Sequence, residues 1–203
     1  QVVLLEATPE LPRILGDMDV QIVFNIAEGI RGRTREAQVP ALLDLMGIPF
    51  TGSDAAALAV TLDKGLAKRL VREAGLLTPK WQVVAPGESA PTHMTFPVIA
   101  KPNAEGSSKG VTSASVARSA AELQSILNIL HSQYDSPVLV EEFLPGREFT
   151  VGILGDIHLK VLPIMEILFA DSADALPIYS YAHKTEEEPG VSFKVPAEVD
   201  PTL

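Results

Sequence analysis

The chain has 203 residues, 46% of them apolar and 21% charged, enough hydrophobic material for a packed core and too much for a disordered or acidic solvating segment. Sixteen lysines and arginines stand against twenty-six aspartates and glutamates; the net charge of −10 argues against a diffuse nucleic-acid binder, though a few placed lysines can still hold a small anion. The absence of cysteine excludes disulfides, thiolate zinc sites and a cysteine nucleophile.

Residues 20–26 (VQIVFNI) read as a buried strand, followed by a glycine- and arginine-rich loop at 28–35. Val39, Leu42, Leu43 and Met46 then fall at i, i+3, i+4 and i+7, an amphipathic helix closed by Gly47, with Pro40 requiring that the helix begin close to it. A short strand at 48–50 and a turn at 51–53 lead to a helix at 54–61. Asp63 caps another helix, with Leu66, Leu70 and Ala74 on one face and Gly75 behind it. Strands follow at 81–84 and 97–101, separated by a polar stretch, and a Gly/Ser loop at 102–110 opens into a strand at 111–116. Ser119 and Glu122 form a capping box for a helix whose Leu123, Ile126, Leu127 and Leu130 share one stripe. Strands are read at 138–144 and 148–154, with a tight turn at Gly155-Asp156 into 157–162. Asp200-Pro201 reads as a helix opening. The class is α/β shading into α+β. No apolar run approaches the roughly 18 residues of a membrane span, and no basic-then-apolar leader opens the chain, so a soluble cytoplasmic protein is expected, with no membrane or nucleic-acid partner.

The common nucleotide and hydrolase motifs (G-x-G-x-x-G, the P-loop, H-E-x-x-H, G-x-S-x-G) are absent, and the four histidines have no ligand spacing. Lys101 ends an apolar strand and is followed by two glycines and two serines in six residues, including Ser107 and Ser108; such a loop lets backbone N–H groups and hydroxyls converge on an anion. Lys64 can supply a second cation. The same residues also fit a surface hairpin with a snorkelling lysine. Glu141 closes a buried strand where a carboxylate can meet the polar edge of an adenine, Phe143 or Leu144 can wall the ring, and Glu148 can accept from ribose hydroxyls, whereas Glu142 reads as an ordinary solvated acid. Lys184 lies in a loop before an acidic run.

The order of these features, a lysine, a strand-lysine-Gly/Ser loop, E-E-F-L and P-G-x-E-F-T-V, resembles the ATP-grasp superfamily. Within it the chain is similar to the D-alanine–D-alanine ligase family, through VFNIAEG, REAQVPALLDLMGIPFTGS, LDKGLAK, GLLTP, FPVIAKPNAEGSSKGV, LVEEFLPGREFTVGILG, LPIMEI and YAHK. The resemblance implies an ATP-grasp fold at 61–144 (central subdomain) and 145–203 (partial C-terminal subdomain), preceded at 1–60 by part of an N-terminal α/β domain. It implies that Lys64 and Lys101 contact ATP phosphates beneath a loop carrying Ser107 and Ser108. Glu141 accepts from the adenine amino group beside Phe143 and Leu144, Glu148 holds the ribose, and Lys184 reaches phosphate from a mobile loop. Ser107 and Lys184 are the residues it places at the reaction. It further implies D-alanine as substrate, amide formation through an acylphosphate for peptidoglycan precursors, and a homodimer.

The family's Glu-x-Asn magnesium ligands occur nowhere in these residues, and neither do its N-terminal glycine strand and helix acid. Magnesium ligands are therefore expected beyond Leu203, with the chain truncated at both ends and little active alone. A non-catalytic nucleotide-binding module and an ATP-grasp ligase with other substrates are the competing readings.

Overall fold

A computed structural model describes residues 1–170, 178–185 and 190–200. Near the N-terminus, α1 (Leu11–Gly16) and α2 (Gln38–Met46) bury Leu11, Leu15, Val39 and Leu43 against one another, with Val20, Val23, Ile48 and Phe50 packed around them. Pro40 is the third residue of α2, inside the first turn where its missing N–H has no intrahelical role, and Gly47 ends the helix at φ 68°. The strands expected at 20–26 and 48–50 shrink to a single parallel bridge between Val23 and Phe50. Ile22, Phe24 and Ile26 face solvent at 63%, 78% and 81% exposure. An apolar run reads as a buried strand only if both faces are covered, and here the α1–α2 cluster covers only the side bearing Val23.

Two helices follow almost without a break. α3 (Ala55–Leu62) is capped by Asp54, which accepts from the Ala57 N–H at 2.7 Å, and α4 (Lys64–Glu73) by Asp63, which accepts from the Leu66 N–H at 3.0 Å. Leu70, expected on a buried face, is 51% exposed. α4 is instead anchored through its first turn, where Gly65 is buried, and its last turns run out over solvent.

The central sheet contains β1 (Trp81–Val84), β2 (Val98–Pro102), β3 (Val116–Ala117) and β4 (Val138–Glu142) in the order β1-β4-β2-β3, every pair antiparallel. α5 (Ala120–Tyr134) covers one face, and its Leu123, Leu127 and Leu130 meet Val84, Val98, Ala100, Val138 and Val140 in a buried cluster. The two-residue period of β2 therefore sends Ile99 and Lys101 to the opposite face. Ser119 caps α5 as expected, but the Glu122 carboxylate accepts from the Arg118 N–H at 2.7 Å rather than from Ser119. The strand expected at 111–116 is mostly a 3₁₀ turn (Ser113–Ser115) in which Thr112 and Ser115 cap each other. Their hydroxyls offer the backbone local partners that compete with the ladder.

β5 (Glu148–Thr150), β6 (Ile153–Leu154), β7 (Lys160–Val161), β8 (Met165–Phe169), α6 (Tyr181–Lys184) and β9 (Val191–Lys194) complete the described elements. β5-β8-β9 form a second antiparallel sheet, and β6-β7 a separate ribbon. The strand expected at 148–154 is thus two strands. Ile153 pairs with Val161 and Leu154 with Lys160, so residues 155–159 make a longer loop than the two-residue turn expected. Gly155 turns at φ +112°, where a Cβ would overlap the His158 carbonyl. Glu166 of β8 is buried and receives Arg147 in a bidentate pair at 2.5 and 2.6 Å. The helix opening expected at Asp200-Pro201 runs outside the described residues. Among those residues no helix is long and apolar enough to cross a membrane.

Candidate functional site

The face of the central sheet turned away from α5 opens into a cleft of about 420 Å³ lined by Lys64, Lys101, Ser107, Ser108, Phe143, Leu144 and Glu148. Of the nine residues singled out in the sequence, these seven share one wall system. Glu141 lies beneath Lys101, and Lys184 sits 5.1 Å over the ring of Tyr179, which itself lines the cleft. Lys184 belongs to the short helix α6, capped by Ser180, rather than to a loop.

The strand register fixes the cations. Lys101 stands opposite Leu139, and Glu141 is two residues further along the same face of β4, so the two meet diagonally, with Lys101 Nζ 2.5 Å from Glu141 Oε1. The other carboxylate oxygen is 2.6 Å from Lys68 Nζ, and Lys68 also donates to Thr78 Oγ1 at 2.6 Å. Burial works to raise the Glu141 pKa, but Lys101 and then Lys68 outweigh it and hold the carboxyl below its usual range. Lys68 and Arg72 lie 5.4 and 4.8 Å from the centre of the Trp81 ring, which opposes Glu141 on β1.

Lys64 opens α4 and turns its ammonium to the start of the Gly/Ser loop, donating to the Pro102 carbonyl at 3.0 Å and the Glu105 carbonyl at 2.5 Å. Burial, with Lys101 close by, pushes its pKa down from 10.5 to about 8. Glu148 shifts the other way: partial burial at the cleft wall raises its carboxyl, opposed by Lys184 and Lys101.

Asn103 ties the helix to the loop. Its Oδ1 accepts from the buried Gly65 N–H at 2.9 Å, its Nδ2 donates to Asp63 Oδ1 at 2.8 Å, and its carbonyl accepts from the Lys64 N–H at 3.0 Å. Gly65 has no room for a side chain, since a Cβ would stand 2.6 Å from Val83 Cγ2. Replacing Asn103 by Ala strands the Gly65 donor, so Asn103→Ala is expected to lose about 1–3 kcal/mol of stability in urea unfolding. At the far end of the loop Gly110 takes φ +75° with a Cβ position 2.7 Å from Pro102 Cγ, a place only glycine fills.

Glu142 stays out of the cleft; its carboxylate accepts from the Lys80 N–H at 3.1 Å, a structural tie. The histidines His131 and His183 bond the Val84 carbonyl and Ser180 respectively. Among the described residues no group of three or more His, Asp or Glu side chains could hold a metal ion. Sequence reasoning missed Lys68, Asn103, Glu28 and Arg35. Lys68 is the one with a visible signal, a basic residue one helical turn beyond Lys64 and hence on the same face.

Residues 70–203 match the family model described as D-ala D-ala ligase C-terminus. The chain is 38% identical over 159 residues to a D-alanine–D-alanine ligase of Citrifermentans bemidjiense, covering 78% of this chain and 49% of that protein. It is 37% identical over 145 residues to the uncharacterized protein y4sG of Sinorhizobium fredii, covering 71% and 42%. Among solved structures it resembles the ATP complex of the Bacillus anthracis D-alanine–D-alanine ligase (TM-score 0.67, 25% identity, 94% of this chain and 56% of that one). It also resembles the VanG D-Ala:D-Ser ligase of Enterococcus faecalis (TM-score 0.70, 27% identity, 91% and 52%). The chain spans about half the length of the curated relatives it matches. With two thirds of its length matched by the family model, and the ATP-grasp arrangement of sheets and cleft in place, the chain belongs to the D-alanine–D-alanine ligase family.

Proposed function

We propose that this chain supplies the nucleotide grip of an ATP-dependent ligase that joins two D-alanines. The observation that carries the reading is the convergence of Lys64, Lys101 and the hydroxyl-bearing loop at one part of the cleft, with Phe143, Leu144 and Glu148 lining the rest. Ammonium groups and hydroxyl donors suit a triphosphate, an apolar wall suits a base, and Glu148 suits a ribose. Glu141, beneath Lys101 at the edge of this space, is in this reading an acceptor for the adenine amino group, and Lys101 and Lys68 keep it ionised. Lys101 and Lys64 neutralise the transferring phosphoryl group, Lys184 approaches it from α6, and the loop with Ser107 and Ser108 excludes water from the acylphosphate. The reading divides the chain at residues 60 and 144 into an N-terminal portion and two ATP-grasp subdomains.

The burial of Lys64 gives this reading a proton signature. In the free protein its pKa is about 8, and a triphosphate beside it restores full protonation. At pH 8, ATP binding therefore takes up about half a proton. Affinity falls as pH climbs from 8 toward 10. The same depression makes Lys64 unfavourable to folding below pH 8, a cost relieved as pH rises from 8 to the ordinary value of 10.5. Titration calorimetry of ATP in buffers of different ionisation enthalpy measures the uptake; buffer-independent heats would remove Lys64 from the phosphates.

The 203-residue chain is expected to bind ATP without D-alanine-dependent phosphate release. Calorimetry that detects no ATP binding refutes the nucleotide grip, and D-alanine-dependent phosphate release from this chain refutes its inactivity. The likeness to the D-Ala:D-Ser ligase favours one second reading, in which the acceptor amine is D-serine. Comparing the two amino acids as acceptors in a phosphate-release assay on a full-length ligase containing this sequence separates them.

A further inference from the structure

The Gly/Ser loop is held down by residues far upstream. Arg35 is buried at 7% exposure and donates through Nη1 to the Ala104 carbonyl at 2.8 Å and through Nη2 to Glu105 Oε2 at 3.1 Å, fixing the base of the loop. Glu28 takes its crest: Oε1 accepts from Ser107 Oγ at 3.0 Å and Oε2 from Lys109 Nζ at 2.7 Å. Glu28 and Arg35 are themselves kept together by Gly29, which turns at φ +73° so close to the Arg35 carbonyl that any Cβ would overlap it. Glu36 leans on the same loop, with Oε1 2.8 Å from where a Cβ of Gly106 would stand. Between the two Glu28 contacts the chain takes an unusual form. Ser107 and Ser108 both adopt left-handed backbone, φ 51° and 57°, without being glycine. Residues with side chains keep that conformation only where their surroundings impose it.

We propose that Glu28, backed by Arg35, is a latch that holds the Gly/Ser loop in its cleft-facing form before a ligand arrives, which makes Glu28 a positioning residue for the nucleotide. The proposal rests on the nucleotide reading given above for the role of the loop, though not for the existence of the latch. A single carboxylate grips the first residue of the left-handed pair and the lysine that follows it, so releasing it frees the serines to relax toward ordinary backbone. The loop then populates open forms, and a ligand that needs the closed form binds more weakly by the fraction lost.

Glu28→Gln tests this in the folded chain. Trypsin cutting after Lys109 in the nucleotide-free protein is expected to speed up about tenfold while the thermal midpoint stays at its wild-type value, since local opening alone is affected. ATP affinity is expected to fall about fivefold to tenfold, through slower association of a fluorescent ATP analogue, because only the closed fraction of the free protein binds. Ser107→Ala, which removes one of the two contacts, gives a smaller rise in nucleotide-free cleavage and serves as the comparison if Glu28→Gln folds poorly. Wild-type cleavage in both variants, wild-type association in Glu28→Gln, or faster cleavage explained by a lowered midpoint overturns the latch. Because cleavage is read without nucleotide, a chain that binds no ATP refutes the nucleotide reading and leaves the latch tested on its own.

Discussion

Glu141→Gln is expected to cost about 3–5 kcal/mol of stability, the size typical of removing one partner from a buried charge cluster. The carboxylate is about nine-tenths covered, and both of its oxygens are committed, one to Lys101 at 2.5 Å and one to Lys68 at 2.6 Å. The glutamine keeps the shape and leaves two partly buried ammonium groups facing each other without compensation. The pH dependence has a definite sign. The Glu141 pKa is depressed below 4.5 in the folded chain. Its contribution is therefore complete above the ordinary carboxylate range and fades as pH falls through the depressed value. The gap between wild type and variant in urea unfolding should thus be full at pH 7 and narrow in acid. A second substitution, Lys101→Met, should restore part of the loss, because the pair acts as a unit. Additive losses would mean that the two side chains do not share a charge.

Lys101→Ala is expected to have the largest effect on binding. A charge-assisted contact is worth about 1.5–3 kcal/mol, so ATP affinity should fall roughly tenfold to a hundredfold. Stability should fall less than in Glu141→Gln, since Lys68 still holds the carboxylate. This split separates two roles for one ammonium group: a phosphate ligand moves affinity more than stability, and a mere buttress of Glu141 does the reverse. Calorimetry with ATP and urea unfolding on the same preparation distinguish them. Unchanged affinity would end the assignment of Lys101 to the phosphates.

What the sequence made legible follows the range of the forces involved. The 3.6-residue stripe of Leu123, Ile126, Leu127 and Leu130 is a local pattern and yields α5, with only its last and first residues left open. The apolar run of β2 is local too, so Lys101 at its end is legible as a cation turned toward a cleft, whereas the face it takes follows from the pairing with β4. Residues 20–26 were misread because an apolar run does not say how many of its faces are covered. Residues 111–116 were misread because Thr112 and Ser115 satisfy the backbone through their hydroxyls, which outcompetes a ladder that β propensity alone favours. In the site, the residue types anticipated at the cleft do gather there. The pairing of Glu141 with two lysines and the knot at Asn103 join residues about 40 or more positions apart. No periodicity encodes such contacts. Glu28 and Arg35 were hidden for the same reason, reaching the loop from some 70 to 80 residues upstream.

The placement of Trp81 has an optical consequence. The chain has one tryptophan, and its indole lies under Lys68 and Arg72, one of which also grips Glu141. Every photon of indole emission therefore comes from a ring with a neighbouring ammonium group tied to Glu141. Redistribution of charge at Lys68 shifts the emission without any label, giving the protein an intrinsic gauge of what happens at Glu141.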